Sequence, residues 1–150
     1  MTRMQLAVLA LPWLFTATAS GAADSVTHIG SAAVAAAFAE GRPLIESENY
    51  KVHASRRQAP GMAELHTRDT DIIYVVEGSA RLITGGSVVD ARATAAEELR
   101  GSAIAGGVER DLARGDVVIV PSGTPHWFQQ VSDPFLYYVV KVRSADGGAR

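Results

Sequence analysis

The chain contains no cysteine among its 150 residues, and this absence excludes several kinds of protein. No disulfide framework can support the fold, so the hydrophobic core has to hold it together alone. A thiolate metal site and a cysteine nucleophile are both ruled out, as is a lipoprotein anchored through a lipidated cysteine. The composition, with 47% hydrophobic and 20% charged residues, is that of one globular domain.

The chain also has no excess of positive charge. Its 14 lysines and arginines stand against 16 acidic residues, which gives a net charge of −2 at pH 7. A surface that binds nucleic acid needs a basic excess, so we do not expect nucleic acid as a partner. No run of like charges indicates an interaction tail or a patch that binds a membrane surface.

The N-terminal apolar run is too short to cross a membrane. The run QLAVLALPWLF falls well below the ~20 residues that a transmembrane helix requires. Arg3 precedes it and the small residues TATASGAAD follow it, which is the order typical of a secretory signal peptide. We predict a signal peptide over residues 1–22, cleaved after Ala22 in preference to Ala19. The mature protein is then expected to be periplasmic or secreted and not bound to a membrane.

One helix is predicted in the segment 23–49 that follows the signal peptide. The stretch SAAVAAAFAEG is rich in alanine, Ser31 can cap its start, and Gly41 can end it in a left-handed turn. Val34 and Phe38 are four residues apart and give this helix one apolar face. We expect the helix to pack on the outside of the main body.

Residues 50–143 have the pattern of an all-β domain, with residues 144–150 as a tail. Short runs rich in valine, isoleucine and aromatic residues alternate with glycine, proline, aspartate and serine, as in YKVHAS, DIIYVVEG, DVVIVP and FLYYVVKV. A set of short strands must cover its edges, and a β-barrel or jelly roll does this. We therefore predict a small β-barrel or jelly roll with a short N-terminal helix.

The strand pattern weakens between residues 84 and 114. We expect a long excursion there, with a short helical piece over residues 91–100 and glycine-rich turns after it. Glu97 and Glu98 are expected on the solvated face of that helical piece.

Candidate functional residues occur in the stretch GMAELHTRDTDIIYVVEG. Glu64 and His66 are two residues apart, so on a strand their side chains point to the same face. The residues TRDT follow His66 and are turn-like. Asp71 can therefore open the neighbouring strand with its side chain pointing inward, as those of Glu64 and His66 do. A carboxylate on an inward-facing strand position is costly unless it is paired or binds a metal.

A second candidate region is GDVVIVPSGTPHWF, where a strand that we expect to be buried on both faces runs into a rigid bend. Pro121 fixes its own φ, Gly123 permits a positive φ, and Pro125 restricts the residue before it. These constraints leave His126 little angular freedom, which suits a metal ligand or a catalytic imidazole.

The second region resembles the second conserved motif of the cupin superfamily. Gly115, Pro121, Gly123 and His126 match that motif in spacing, and Gln130 stands where asparagine is usual. The first region is similar to the first cupin motif, but it matches that motif less closely. Together the two regions cover about a third of the mature chain, and the resemblance implies the small cupin-type β-barrel.

The first region matches the first cupin motif at three positions. His66 stands at its second histidine, Asp71 at its glutamate and Gly78 at its final glycine. Glu64 occupies the place of the first histidine, and the leading glycine is displaced to Gly61. Asp71 is one methylene shorter than the usual glutamate.

The resemblance implies a site for one divalent metal, because the motif positions commonly bind one in cupins. The implied ligands are Glu64, His66, Asp71 and His126, and Glu64 is either a ligand or the catalytic general base. Imidazole and carboxylate ligands suit Fe, Mn, Ni or Zn. Residues expected to line the pocket around this site are Phe128, Gln130, Tyr74 and His53.

The predicted signal peptide and the resemblance together imply an exported cupin that acts on a small oxygen-rich organic molecule. The reaction class stays open between a metal-dependent dioxygenase and an isomerase or lyase in which the metal polarises a carbonyl group. Two alternatives are a non-catalytic module that binds a small molecule or metal, and a metal-free epimerase or isomerase that uses acid–base catalysis. Cupins are often dimeric, so a homodimer is also expected.

Overall fold

The structure, a computed structural model, describes residues 25–144, which contain one α-helix and thirteen β-strands. The helix α1 spans Ser31–Glu40. The strands are β1 (Pro43–Glu46), β2 (Tyr50–Arg57), β3 (Ala63–His66), β4 (Asp69–Glu77), β5 (Ser79–Thr84), β6 (Ser87–Val89), β7 (Arg92–Ala95), β8 (Glu98–Gly101), β9 (Ala103–Ala105), β10 (Val108–Ala113), β11 (Val117–Val120), β12 (His126–Val131) and β13 (Phe135–Arg143). The all-β prediction is confirmed. The predicted signal peptide and the part of the predicted tail from residue 145 onward lie outside the described residues.

Two antiparallel sheets form the body of the jelly roll. One has the strand order β1-β2-β13-β4-β11, and the other has the order β10-β5-β12-β3-β8-β7. A separate hairpin-like pair, β6 and β9, lies in the excursion between residues 84 and 114. In this arrangement the two motif regions contribute to both sheets, since β4 and β11 belong to the first sheet and β3 and β12 to the second.

The hydrophobic core fills the space between the two sheets. Period-two alternation turns Ile73 and Val75 of β4 inward, and both are buried. The ring of Phe128 on the second sheet lies 5.3 Å from that of Phe135 and 5.2 Å from that of Tyr137 on the first. These aromatic contacts join the two sheets beside the candidate site.

The strand VVIV is buried on one face only, which corrects the prediction that both faces are covered. The strand is β11, and among the described strands it pairs with β4 alone, so that it forms an edge of its sheet. Val120 points inward and is buried, whereas Val117 and Ile119 are 60% and 62% exposed on the outer face. An uninterrupted apolar run therefore did not distinguish a central strand from an edge strand here.

The helix begins and ends close to the predicted positions. Gly41 ends it in the left-handed conformation with φ 68°, as predicted. The capping role predicted for Ser31 is wrong, because Gly30 precedes the first turn and no side chain caps it. The ring of Phe38 contacts Tyr138 with 4.8 Å between the ring centroids, so the apolar face of the helix packs against a sheet strand.

The helix predicted over residues 91–100 is wrong, because this stretch forms strands β7 and β8. Residues Glu98–Gly101 pair with Ala63–His66 in an antiparallel ladder. The sheet pairing thus overrides the helical preference of the alanines and glutamates in this stretch. Within residues 25–144, no helix has the length and apolarity that crossing a bilayer requires.

Two isoleucines on neighbouring strands provide a matched test of where the core lies. Ile73 is 1% exposed and Ile119 is 62% exposed. We expect Ile73→Ala to lower the free energy of unfolding by about 3 kcal/mol, because it removes buried methyl groups and leaves a cavity. We expect Ile119→Ala to change it by less than about 1 kcal/mol. Urea denaturation of both variants checks this, and equal losses would contradict the placement of the core.

Candidate functional site

Three potential metal ligands lie together on the inner face of the second sheet. Glu64 and His66 share one face of β3, and His126 begins β12, where its Cα is paired with that of Glu64. One donor atom from each side chain lies within 4.8 Å of the other two. The imidazole rings of His66 and His126 are 5.2 Å apart between centroids. The structure therefore brings the two motif regions together at these residues.

The bend before β12 holds His126 in place through backbone hydrogen bonds. Gly123 has φ 77° and donates its N–H to the carbonyl oxygen of His66 at 2.7 Å. Thr124 donates its N–H to the carbonyl oxygen of Pro121 at 3.1 Å and closes the turn. The carbonyl oxygen of Thr124 lies 3.2 Å from Nδ1 of His126 and can only accept a hydrogen bond. That contact places the ring hydrogen on Nδ1 and leaves the Nε2 lone pair available for a ligand.

Asp71 lies beside the three ligands but is paired with a lysine. Its Oδ2 atom is 3.7 Å from Nε2 of His66 and 3.6 Å from Nε2 of His126. Lys141 donates hydrogen bonds to both carboxylate oxygens, at 2.9 and 2.8 Å. The two residues are directly opposite in the ladder between β4 and β13. Asp71 is consequently committed to an ion pair, and it is not among the clustered donors Glu64, His66 and His126.

Glu64 is surrounded by positive charge and by the two histidines. Its carboxylate oxygens lie 3.5 Å from Nε2 of His66, 3.4 Å from Nη1 of Arg100 and 3.6 Å from Nη2 of Arg57. Burial alone raises the pKa of this carboxyl group. The interaction with His66 and the charges of Arg100, His126 and Arg57 together outweigh burial and lower the pKa to about 2. Glu64 is therefore ionised at neutral pH.

The donor set fits a divalent metal ion. Nε2 of His66 is buried, and among the described residues it has no partner with hydrogen-bond geometry; carboxylate oxygens of Glu64 and Asp71 stand 3.5 and 3.7 Å away. This is costly for a buried polar atom unless something binds it. Burial lowers the pKa of His126, although Asp71 opposes this shift, so its imidazole is neutral at pH 7, as a metal ligand must be. Two imidazoles and one carboxylate suit Fe(II), Mn(II), Ni(II) or Zn(II).

A cavity of about 430 Å³ opens over these residues, and two of the four predicted pocket residues line it. Phe128 forms part of its wall, and His53 lines it with Nε2 3.6 Å from Glu46. Tyr74 does not line the cavity, because alternation along β4 turns it to the outer face, where it is 46% exposed. Gln130 is also outside the cavity, because a bulge between Phe128 and Gln130 shifts the register and leaves Gln130 exposed.

Sequence reasoning did not assign several charged residues that line the cavity, among them Glu98, Arg100 and Lys141. Glu98 approaches Nδ1 of His66 at 3.7 Å, and Arg100 contacts Glu64, but both were assigned to a solvated helix or left out. The signal for Lys141 was present in the sequence: it continues the alternation of the buried residues Tyr137 and Val139 along FLYYVVKV. A lone charge on the inner face of an apolar strand indicates a buried partner.

The comparisons with known proteins agree with this architecture. The family model described as Cupin matches residues 31–147. No curated protein sequence matches the chain significantly. A solved Bacillus halodurans protein superposes with a TM-score of 0.51 at 14% identity, covering 73% of this chain and 74% of that one. Hydroquinone 1,2-dioxygenase from Sphingomonas sp. TTNP3 gives a TM-score of 0.51 at 14% identity, covering 72% of this chain and 67% of that one.

A third solved structure, a candidate mannose-6-phosphate isomerase from Ralstonia eutropha JMP134, gives a TM-score of 0.50 at 18% identity. The match covers 69% of this chain and 83% of that one. Identities this low establish a shared fold and leave the reaction open. With the family match over most of its length, its jelly roll and its two motif regions meeting at one site, the chain belongs to the cupin family.

Proposed function

We propose that the protein is an exported cupin that binds one divalent metal ion through Glu64, His66 and His126 and acts on a small oxygen-rich organic molecule. The observation that carries this proposal is the convergence of three donor atoms within 4.8 Å, at a place where the buried Nε2 of His66 has no hydrogen-bond partner among the described residues. The adjoining cavity of about 430 Å³ has the volume of a small-molecule site.

The charge state of Glu64 supports a role as ligand in preference to general base. A general base is most effective when its pKa is near the working pH, whereas the pKa of Glu64 is lowered to about 2. A carboxylate that stays ionised at neutral pH is well suited to hold a cation. Asp71 is a poor candidate for the base of a metal-free mechanism, because Lys141 donates to both of its oxygens.

The reaction is proposed to be a dioxygenation or an isomerase- or lyase-type proton transfer. Proteins that share this fold include a dioxygenase and a candidate isomerase, and each name applies to that protein alone. When bound, a divalent ion would supply Lewis acidity toward an oxygen atom of the substrate. The chain's own residues orient the molecule: Phe128 supplies an apolar wall, and His53 lines the same cavity.

Export is proposed on the sequence pattern of residues 1–22 alone. A positive charge at Arg3, a short apolar run and small residues before Ala22 follow the order of a cleavable signal peptide. The absence of cysteine is compatible with this route, because the core contacts between the two sheets hold the fold without disulfides.

The two motif histidines are expected to be required for metal binding. His66→Gln and His126→Gln should each weaken binding of Co(II) or Zn(II) at least about 100-fold. Removing a residue that only supports a metal ligand costs up to about 100-fold in affinity, and removing the ligand itself should cost at least as much. His53→Gln is the matched control, because His53 lines the same cavity but is not among the clustered donors. Competition titration against a chromogenic chelator measures all three. Affinities equal to that of the parent in both motif variants would refute the site.

The carboxylates are expected to differ in their importance for the metal. Glu64→Gln should weaken metal binding at least about 100-fold. The double variant Asp71→Asn/Lys141→Met should stay within about tenfold of the parent, because removing both partners leaves no unpaired buried charge. Equilibrium dialysis with elemental analysis gives both affinities. A loss in the double variant as large as in Glu64→Gln would instead indicate four ligands.

Export predicts a defined N-terminus for the mature protein. Expression of the full chain in a Gram-negative host should yield periplasmic protein that begins at Ala23, since cleavage is expected after Ala22. Intact-mass spectrometry of the periplasmic fraction distinguishes this product from one that begins at Ser20. Full-length protein confined to the cytoplasm would contradict the export proposal.

A further inference from the structure

The guanidinium of Arg57 is held beside the potential metal ligands at the wall of the cavity. Arg57 lines the cavity at the end of β2. Its Nε atom donates a hydrogen bond to the hydroxyl of Tyr137 at 2.9 Å, and its Cζ atom lies 5.1 Å from the centroid of the Phe128 ring. The hydrogen bond and the cation–π contact orient the planar group and leave Nη1 and Nη2 for another partner.

The backbone around Gly61 leaves room for this arginine. A Cβ atom on Gly61 would come within 2.3 Å of Nη1 of Arg57. The carbonyl oxygen of Gly61 accepts a hydrogen bond from Nε1 of Trp127 at 2.7 Å, which fixes the loop in this position. The loop therefore passes close to the guanidinium and limits its movement on that side.

The charges around Arg57 leave this residue open to an anionic ligand. Among the residues that the structure describes, the one carboxylate within ion-pair distance of Arg57 is Glu64, at 3.6 Å. Arg100 also contacts Glu64, but it keeps a hydrogen bond to Glu98. Once Glu64 is engaged by a divalent ion, Arg57 has no other acidic partner within residues 25–144. A divalent ion with this single carboxylate ligand also leaves a net charge of about +1 at the site, which attracts an anion.

We propose that Arg57 anchors the carboxylate of the substrate, and that the substrate is a small carboxylic acid with a second oxygen on the adjacent carbon. This inference rests on the proposed metal site. Nη2 of Arg57 is 3.6 Å from one oxygen of Glu64, and the other oxygen of Glu64 is 3.5 Å from Nε2 of His66. The guanidinium thus lies directly beside Glu64, one of the three potential metal ligands. A carboxylate bound there brings an oxygen on the neighbouring carbon close to the metal ligands.

Binding of glycolate to the Co(II)-loaded protein tests this proposal. Titration calorimetry and the Co(II) visible spectrum should show glycolate binding at least about tenfold more tightly than its neutral analogue glycolamide, because a guanidinium–carboxylate pair is charge-assisted. Arg57→Gln should lose at least about tenfold in glycolate affinity while it keeps its affinity for Co(II). Arg56→Gln is the matched control, because Arg56 is the neighbouring arginine on β2 but is exposed, and it should bind glycolate like the parent.

The outcomes separate this proposal from the metal site on which it rests. A parent protein that does not bind Co(II) overturns the proposed function and this inference with it. A parent that binds Co(II) but does not distinguish glycolate from glycolamide, or an Arg57→Gln variant with parental glycolate affinity, overturns the inference alone. If Arg57→Gln fails to load Co(II), Gly61→Ala decides, because its Cβ displaces Nη1 of Arg57. If Gly61→Ala then binds glycolate more weakly than the parent, the result supports Arg57 as the carboxylate anchor. If its glycolate affinity equals that of the parent, the inference is overturned.

Discussion

The hydrogen bond from the N–H of Gly123 to the carbonyl oxygen of His66 joins the two halves of the site. The two histidines are 60 residues apart in the sequence, and this bond fixes the bend before β12 against the end of β3. Gly123 can make it because its φ of 77° is accessible to glycine at little cost. A side chain there would strain the bend and disturb the separation of the two imidazoles. The positions of the potential metal ligands are therefore set largely by backbone geometry.

The ion pairs within the cavity determine which of its carboxylates is available to bind a cation. The cavity is lined by acidic and basic side chains in similar numbers, and most acids have a basic neighbour. Lys141 holds Asp71 with two hydrogen bonds, whereas the contacts of Glu64 with Arg57 and Arg100 are longer, at 3.6 and 3.4 Å. A cation can displace loosely held partners more readily than a bidentate pair. The carboxylate of Asp71 is thus held in an ion pair with Lys141, while that of Glu64 is the one more readily available to a cation.

Residues with a local signal could be predicted from the sequence, and residues placed by long-range pairing could not. His66 and Glu64 share a face because side chains alternate along a strand, and the glycine and proline bend before β12 constrains His126 within a few residues. By contrast, Glu98 comes next to His66 through the pairing of β8 with β3, in a stretch whose own composition favours a helix. Gln130 was misplaced because a β-bulge adds a residue after Phe128, and nothing in HWFQQV marks it.

The departures of this chain from the cupin motifs compensate one another. Where the first motif usually has a histidine, Glu64 supplies a carboxylate. Where it usually has a glutamate, the shorter Asp71 is neutralised by Lys141 across the ladder. The carboxylate available to a cation has therefore moved from one position to the other, while both histidines stay. If Asp71 were also free, two carboxylates would cancel the charge of a divalent ion, and the site would attract anions less strongly. The pairing of Asp71 with Lys141 would thus preserve, with a metal ion bound, the positive charge that the proposed anionic ligand beside Arg57 requires.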